Sequence, residues 1–247
     1  MKLFNKQIST GRLLLIASVI VNVLLAVAVY KAEKNTHFIR MALDRRGIIN
    51  IEPQAYPDYY ARDGWTNTVD KLNIEFDVAF FGNSITKGSN FQSFFPDRKV
   101  INLGYSGDVI LGMLKRVPML QAARPKKIFV MGGINDLFGG ASVDEFAEKY
   151  DKLIKTIKDS IPQATVYLQS ILPINPDIKD NSPDIAIIQQ SNVHIHEIAT
   201  KYGCQYIDVY SVYAKDGKLP PEVTKDGVHL IPQHYDRWAK LLEEYLN

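Results

Sequence analysis

From residue 76 onward, short apolar runs alternate with longer stretches whose apolar positions recur at helical spacing. No other feature of the chain restricts its fold as much. The runs are DVAFFG (77–82), VINLGY (100–105), KIFVMGG (127–133), TVYLQSIL (165–172) and QYIDVY (205–210). Each is too short for a buried helix and rich in β-branched or aromatic residues, as strands are. Nearly continuous apolar character, rather than strict alternation, suits strands buried on both faces of a parallel sheet. Between them lie helices. One begins after Ser142, where Glu145 three residues on completes a capping box. Its Val143, Phe146, Tyr150, Leu153, Ile154, Ile157 and Ile161 keep one face apolar. A second runs from Asp184 to Tyr202 and stops at Gly203, a residue suited to a left-handed cap. The last runs from Pro232 to Leu246. Five successive βα units specify an α/β domain of three layers, α/β/α, around a five-stranded parallel sheet with right-handed crossovers.

Residues 13–30, LLLIASVIVNVLLAVAVY, are of a different kind, with Ser18 and Asn22 the only polar interruptions. Eighteen helical residues would span about 27 Å, enough for a bilayer core. The run has no polar face to turn to water. Lys2, Lys6 and Arg12 precede it, as in an export signal. Ala26-Val27-Ala28 has the form of a cleavage site, but the run is long for a signal peptide and no cysteine follows it. An uncleaved N-terminal hydrophobic helix, acting as a membrane anchor, is the expectation. Lys31, Lys34, Arg40 and Arg45 nearly match the near flank in charge, so the positive-inside rule does not set the orientation. The position at the extreme N-terminus favours an extracytoplasmic body, or an exported one if the segment is cleaved. The chain thus divides into a membrane segment (1–30), a stalk that becomes an aromatic strap through Glu52–Tyr60 to Trp65 (31–75), and the α/β domain (76–247).

Composition narrows the function. Hydrophobic residues at 46% and charged residues at 23% are those of an ordinary globular domain. The net charge of +2, with no long run of one sign, gives no basis for binding nucleic acid. The single cysteine, Cys204, excludes an internal disulfide and any CxxC site, and is expected as a small buried residue at a strand start. Oligomeric state is not legible.

In open α/β sheets, ligands bind beyond the carboxyl ends of the strands. The first run leads into Gly82-Asn83-Ser84-Ile85-Thr86, the second into Ser106-Gly107-Asp108, and the third into Gly133-Ile134-Asn135-Asp136. Beyond the fifth lie Asp226-Gly227-Val228-His229. One edge therefore collects the parts of an acyl-transfer site. Ser84 would present its hydroxyl on a tight turn that Gly82 permits. A neutral serine needs a base, and His229 can serve. Asp226, three residues earlier, can hold the other ring nitrogen. The Ser84 N–H, the Gly107 N–H and the Asn135 amide are candidate oxyanion donors. Singly, each has a plain structural explanation as turn, cap or surface residue; their common edge is what speaks for chemistry. His194 and His196, two apart on a helix, point to different faces and cannot chelate together. His234 could rival His229 as base but has no aspartate at matching spacing. Gly132-Gly133 lacks the Lys-Ser/Thr of a phosphate loop, and no GxGxxG occurs. No metal or cofactor is expected.

The blocks FFGNSIT, NLGYSGD, GGIND and DGVHL resemble, in order and spacing, those of the SGNH hydrolases, the GDSL-type esterase superfamily. The likeness spans Asp77 to Asn247. It implies a flavodoxin-like SGNH fold, with Ser84 as nucleophile, Gly107 and Asn135 as oxyanion donors, and Asp226 with His229 completing a triad. Gly104, three residues before Gly107, is the alternative glycine. NLGYSGDVILGMLKRV resembles the branch similar to platelet-activating-factor acetylhydrolase. One departure stands out: Asn83 replaces the Asp of the usual Gly-Asp-Ser, keeping an acceptor oxygen but losing the charge. The α/β-hydrolase elbow Gly-x-Ser-x-Gly fails at Thr86.

The resemblance implies a serine esterase acting on short-chain esters, acetyl foremost, of a carbohydrate or other small polar molecule. A lysophospholipase or acyl-ester lipase is the enzymatic alternative, which a membrane tether would suit. A catalytically silent carbohydrate-binding or envelope protein is the non-enzymatic one. Pocket walls are expected from Phe91–Phe95, Leu137–Gly140 and Pro173–Pro183.

Overall fold

A computed structural model describes residues 21–22 and 74–246. Of the apolar N-terminal run only Val21 and Asn22, both helical, fall within it; the aromatic strap lies outside the described residues. Among the described residues no helix is long and apolar enough to cross a membrane.

All five apolar runs form strands: β1 (Val78–Gly82), β2 (Val100–Gly104), β3 (Lys127–Met131), β4 (Thr165–Gln169) and β5 (Gln205–Ile207). They pair in parallel in the order β2-β1-β3-β4-β5. This is a doubly wound order, with its switch point between β1 and β3. The chain steps one way from β1 to β2 and the other way for every later crossover. With right-handed connections that reversal sends helices to opposite faces of the sheet. Burial agrees: every residue of β1 is buried, which requires cover on both sides.

The helices between β1 and β2 are α1 (Ser84–Lys87) and α2 (Phe91–Phe94). The later crossovers carry α3 (Ile110–Lys115), α4 (Val117–Ala123), α5 (Ile134–Phe138), α6 (Val143–Ser160) and α7 (Ile185–Lys201). After β5 come α8 (Tyr210–Tyr213) and α9 (Tyr235–Leu246). The Ser142 capping box is present: Ser142 Oγ accepts the Glu145 N–H, and the Glu145 carboxylate accepts the Ser142 N–H. Helix α7 ends before Gly203, whose φ is +63°.

Two runs extend three residues beyond their strands. After Gln169 the chain leaves the sheet while Ile171 and Leu172 stay buried, and after Ile207 it turns into α8. Apolar periodicity reports burial, not pairing. Cys204 is half-buried, one residue before β5, and burial pushes its thiol up.

The aromatic residues of α2 serve the core. Phe91 stacks on Phe80 with centroids 3.6 Å apart and meets Trp238 edge-on at 5.2 Å. Phe95 is buried as well, leaving Phe94 as the exposed ring of the segment. The rings of Phe91 and Phe95 are therefore taken up by the core.

Candidate active site

Strand β1 ends at Gly82, Asn83 caps the next helix, and Ser84 is the first residue of α1. Gly82 does not have a positive φ. It supplies space: a Cβ there would lie 2.4 Å from the Met131 carbonyl oxygen and 2.2 Å from Thr86 Oγ1. Asn83 is 1% exposed, and its Oδ1 accepts the Ile85 N–H at 3.0 Å. The acceptor that N-capping needs is therefore kept without the charge of an aspartate. Asn102 on β2 braces the same helix, donating from Nδ2 to the Thr86 and Ser89 carbonyls at 2.9 and 2.8 Å.

His229 and Asp226 sit on a loop closed by an antiparallel bridge between Thr224 and Leu230. Gly227 makes the turn with φ +79°. The loop packs on the segment after β4, where the Asn175 N–H donates to the Gly227 carbonyl at 2.8 Å. Of the three expected wall segments, Pro173–Pro183 is thereby in contact with this loop. The loop brings His229 Nε2 to 2.7 Å from Ser84 Oγ, and His229 Nδ1 to 2.6 Å from Asp226 Oδ2. A carboxylate can only accept, so Nδ1 carries the proton, and a neutral imidazole then offers Nε2 to the serine hydroxyl. Asp226 Oδ1 also accepts the His229 and Val228 N–H groups at 2.8 and 3.0 Å. Partial burial pushes the Asp226 carboxyl up, but the His229 N–H, its imidazole and the Val228 N–H outweigh that and hold it at about 2. His234, in a 3-10 turn before α9, is engaged through its carbonyl with the Tyr213 hydroxyl at 2.6 Å.

The two candidate glycines differ. Gly104 lies within β2, where its N–H donates to Asn102 Oδ1 at 2.9 Å and a Cβ would sit 2.2 Å from the Lys87 nitrogen. Gly107 lies beyond the strand with φ +70°. Among the described residues neither the Gly107 N–H nor the Ser84 N–H has an acceptor. Asn135, in the first turn of α5, donates from Nδ2 to the Asp108 carbonyl at 2.7 Å. That bond uses one amide hydrogen and leaves the other to a ligand.

Sequence reasoning assigns no role to three neighbours of this edge, Asp108, Arg116 and Asp136. Asp108 pairs with Arg116, and Asp136 is 5% exposed with Oδ2 accepting the Ile110 N–H at 3.0 Å. Burial pushes the Asp136 carboxyl up to about 7, helped by Asp108 and opposed by the Ile110 N–H and Lys149. Asp108 stands in the SGD block and could have been marked by it; Arg116 stands in the longer stretch NLGYSGDVILGMLKRV, but no pattern there sets it apart from a surface arginine.

Other polar features lie elsewhere. His194 pairs with Glu197 at 2.8 Å, while His196 packs on Tyr206 with centroids 4.7 Å apart, so the two histidines do not act together. His196 and Tyr206 line a 220 Å³ cleft with Gln189, Asn192, Asp208 and Tyr210. Its groups are engaged with the protein: Gln189 with Tyr210, Asp208 with Ser211, and Asn192 with the Ile171 backbone. Among the described residues no group of three or more His, Cys, Asp or Glu side chains could hold a metal ion.

A hydroxyl, a base and a carboxylate in hydrogen-bonded sequence, beside N–H groups lacking acceptors, can carry out acyl transfer. Known proteins point the same way. Residues 80–237 match the GDSL-like Lipase/Acylhydrolase family, well over half of the chain. N-acylneuraminate cytidylyltransferase of Streptococcus agalactiae serotype V is 23% identical over 165 residues, 67% of this chain. The chain spans only 37% of that relative's length. A Streptococcus pneumonia structure, provisionally described as a platelet activating factor, superposes with a TM-score of 0.65 at 25% identity, covering 75% of this chain and 92% of the other. A mutant of an acetyl-xylooligosaccharide esterase from Geobacillus Stearmophilus shares the fold with a TM-score of 0.56 at 18% identity, over 70% of this chain and 94% of that one. The sequence blocks, the sheet order and the family match agree, and the chain belongs to the GDSL-like lipase/acylhydrolase family as an SGNH-type ester hydrolase.

Proposed function

We propose that this chain is a serine esterase removing short acyl groups, acetyl foremost, from a carbohydrate through an acyl-enzyme. Ser84 Oγ attacks the ester carbonyl while His229 Nε2 takes its proton. Asp226 holds the imidazole in the required tautomer and stabilises the imidazolium. The oxyanion is received by the Ser84 and Gly107 N–H groups and the spare Asn135 amide hydrogen. As the tetrahedral intermediate collapses, the imidazolium gives its proton to the departing sugar oxygen, which leaves as the hydroxyl. Water, deprotonated by the same histidine, then attacks the acyl-enzyme carbonyl and releases the acid and Ser84. The observation that carries this reading is the hydrogen-bond sequence Ser84–His229–Asp226.

Two names support the sugar. The fold neighbour from Geobacillus is an acetyl-xylooligosaccharide esterase, a precedent for this fold accepting acetylated sugars. The curated relative, of whose length this chain spans 37%, is named for an N-acylneuraminate. The stretch 13–30 adds a location: a membrane anchor that keeps the hydrolase domain on the extracytoplasmic side.

The test is an ester panel on the full chain. Faster turnover of p-nitrophenyl acetate than palmitate, with acetate released from acetylated xylooligosaccharides, is the expected result. Preference for the palmitate ester would favour a lysophospholipase or lipase, and no turnover of any ester would mean a silent protein.

A further inference from the structure

Arg116 does not touch the catalytic residues, yet its guanidinium underpins them. Its side chain has no solvent exposure. Nε donates to Asp108 Oδ2 at 2.9 Å, and Nη2 donates to the same oxygen. Nη2 also donates to the Gly82 carbonyl at 3.1 Å, and Nη1 to the Leu103 carbonyl at 3.0 Å. Its Cζ lies over two rings, 4.0 Å from the Tyr105 centroid and 4.7 Å from that of Phe81. Opposite Asp108, a Cβ on Gly112 would lie 2.0 Å from Oδ1, so α3 leaves a gap where the carboxylate sits.

These partners belong to two of the three segments that carry the oxyanion donors, and one of them touches the third. Gly82 leads into the Ser84 turn. Leu103 and Tyr105 lead into the Gly107 loop. Asp108 follows Gly107, and its carbonyl accepts from Asn135. A buried guanidinium is a poor way to gain stability, since well-packed apolar residues of similar volume do as well or better. Its use here is orientation. Donors fixed before substrate arrives need no reorganisation as the charge develops.

We propose that Arg116, through Asp108, is a positioning residue that holds the Ser84 turn, the Gly107 loop and the Asn135 amide in one register. The proposal rests on reading Ser84 as the nucleophile and these groups as oxyanion donors. A lysine keeps the charge but not the planar fork that reaches Asp108, Gly82 and Leu103 together.

The experiment compares Arg116→Lys, Asp108→Asn, Asn135→Ala and the doubles Arg116→Lys/Asn135→Ala and Asp108→Asn/Asn135→Ala in the full chain on p-nitrophenyl acetate. Melting temperatures establish which variants fold. Arg116→Lys is expected to lower kcat by roughly 10- to 100-fold, as a misplacement of about 1 Å or a weakened donor would. KM should stay within about twofold, because the donors matter most once the oxyanion forms. Asp108→Asn should lose less, in the same direction. Each double should fall little below Asn135→Ala, since both changes act through one set of donors; a general loss of structure would instead multiply with it. If Arg116→Lys does not fold, the nearly isosteric Asp108→Asn, which keeps the backbone carbonyl, carries the same comparison. A folded Arg116→Lys with unchanged kcat, a rise in KM alone, or multiplying losses overturns the proposal. A Ser84→Ala enzyme that still turns over overturns the underlying reading instead, so the two failures are distinguishable.

Discussion

His229 Nε2 stands 2.7 Å from Ser84 Oγ although the two residues are 145 positions apart. The contact requires the end of the chain to return across the sheet to the first strand. A second link secures that return: the Tyr235 hydroxyl at the start of α9 donates to the Ile85 carbonyl at 2.7 Å, one residue beyond the nucleophile. The loop that carries the base leads into the C-terminal helix whose Trp238 packs on Phe91. The C-terminal segment thus contributes to both the core and the site.

If Ser84 and His229 act together, removing either should abolish turnover, and removing both should do little more. Ser84→Ala and His229→Ala are each expected to lose at least about 10³-fold in kcat, with non-additive losses in the double mutant. Asp226 orients rather than reacts, so Asp226→Ala should retain more activity than either. Asn135→Ala should lower kcat by about 10²-fold with KM little changed. A serine-directed organophosphonate should label Ser84 in the wild type. Steady-state kinetics of the four single mutants on one acetyl ester decide the matter; an active Ser84→Ala would sink the scheme.

Gly82 and Gly203 make a controlled pair. An alanine Cβ at position 82 would press on the Met131 backbone carbonyl, which cannot rotate away, whereas Gly203 has open space and only a left-handed φ to lose. Gly203→Ala should cost about 1 kcal/mol. Gly82→Ala should cost clearly more and disturb the Ser84 turn, giving both a lower melting temperature and a lower kcat. Equal melting temperatures would show that β1 and β3 can part without cost.

What was legible in the sequence is what local pattern encodes. The five strands follow from short apolar runs, and the Ser142 start of α6 from its capping box. Ser84, Asp226 and His229 stood out because each ends or follows a run on the same sheet edge. The structure adds what depends on distant neighbours. An arginine in LKRVPML reads as a side chain that reaches solvent, and Arg116 is buried only because β1, β2 and the Gly107 loop surround it. Phe91 looks available to a pocket until Phe80 and Trp238 close on it. The need for glycine at position 82 is set by Met131 on the neighbouring strand, not by a turn.

The apolar stretch 13–30 has no counterpart in the α/β pattern. The full chain should therefore sediment with membranes, while a chain lacking residues 1–35 should be soluble and retain its esterase activity. Fractionation followed by an acetyl-ester assay of both forms tests this. A soluble full-length protein, or a truncated one that cannot fold, would mean that the stretch belongs to the hydrolase domain.

Asp136 should make stability depend on pH in an unusual direction. Its carboxyl titrates at about 7 in the fold, against ~3.9 in an unfolded chain. Between these values the folded protein holds a proton that the unfolded chain has released. Stability from this group is therefore complete below about pH 4 and is lost as pH rises through about 7. Asp226 works in the opposite sense and in another window: its folded value of about 2 means that its contribution disappears only as pH falls from about 4 toward 2. Asp136→Asn keeps an oxygen for the Ile110 N–H and has no proton to lose. At pH 5 the wild type has lost only the first part of this stability, so mutant and wild type should melt closer together there than at higher pH. At pH 8 the wild type must either carry a buried charge or lose packing around it, so the mutant should melt higher, by several degrees. Thermal unfolding of both proteins from pH 5 to 8 measures the gap, and parallel curves across that range would refute a raised Asp136.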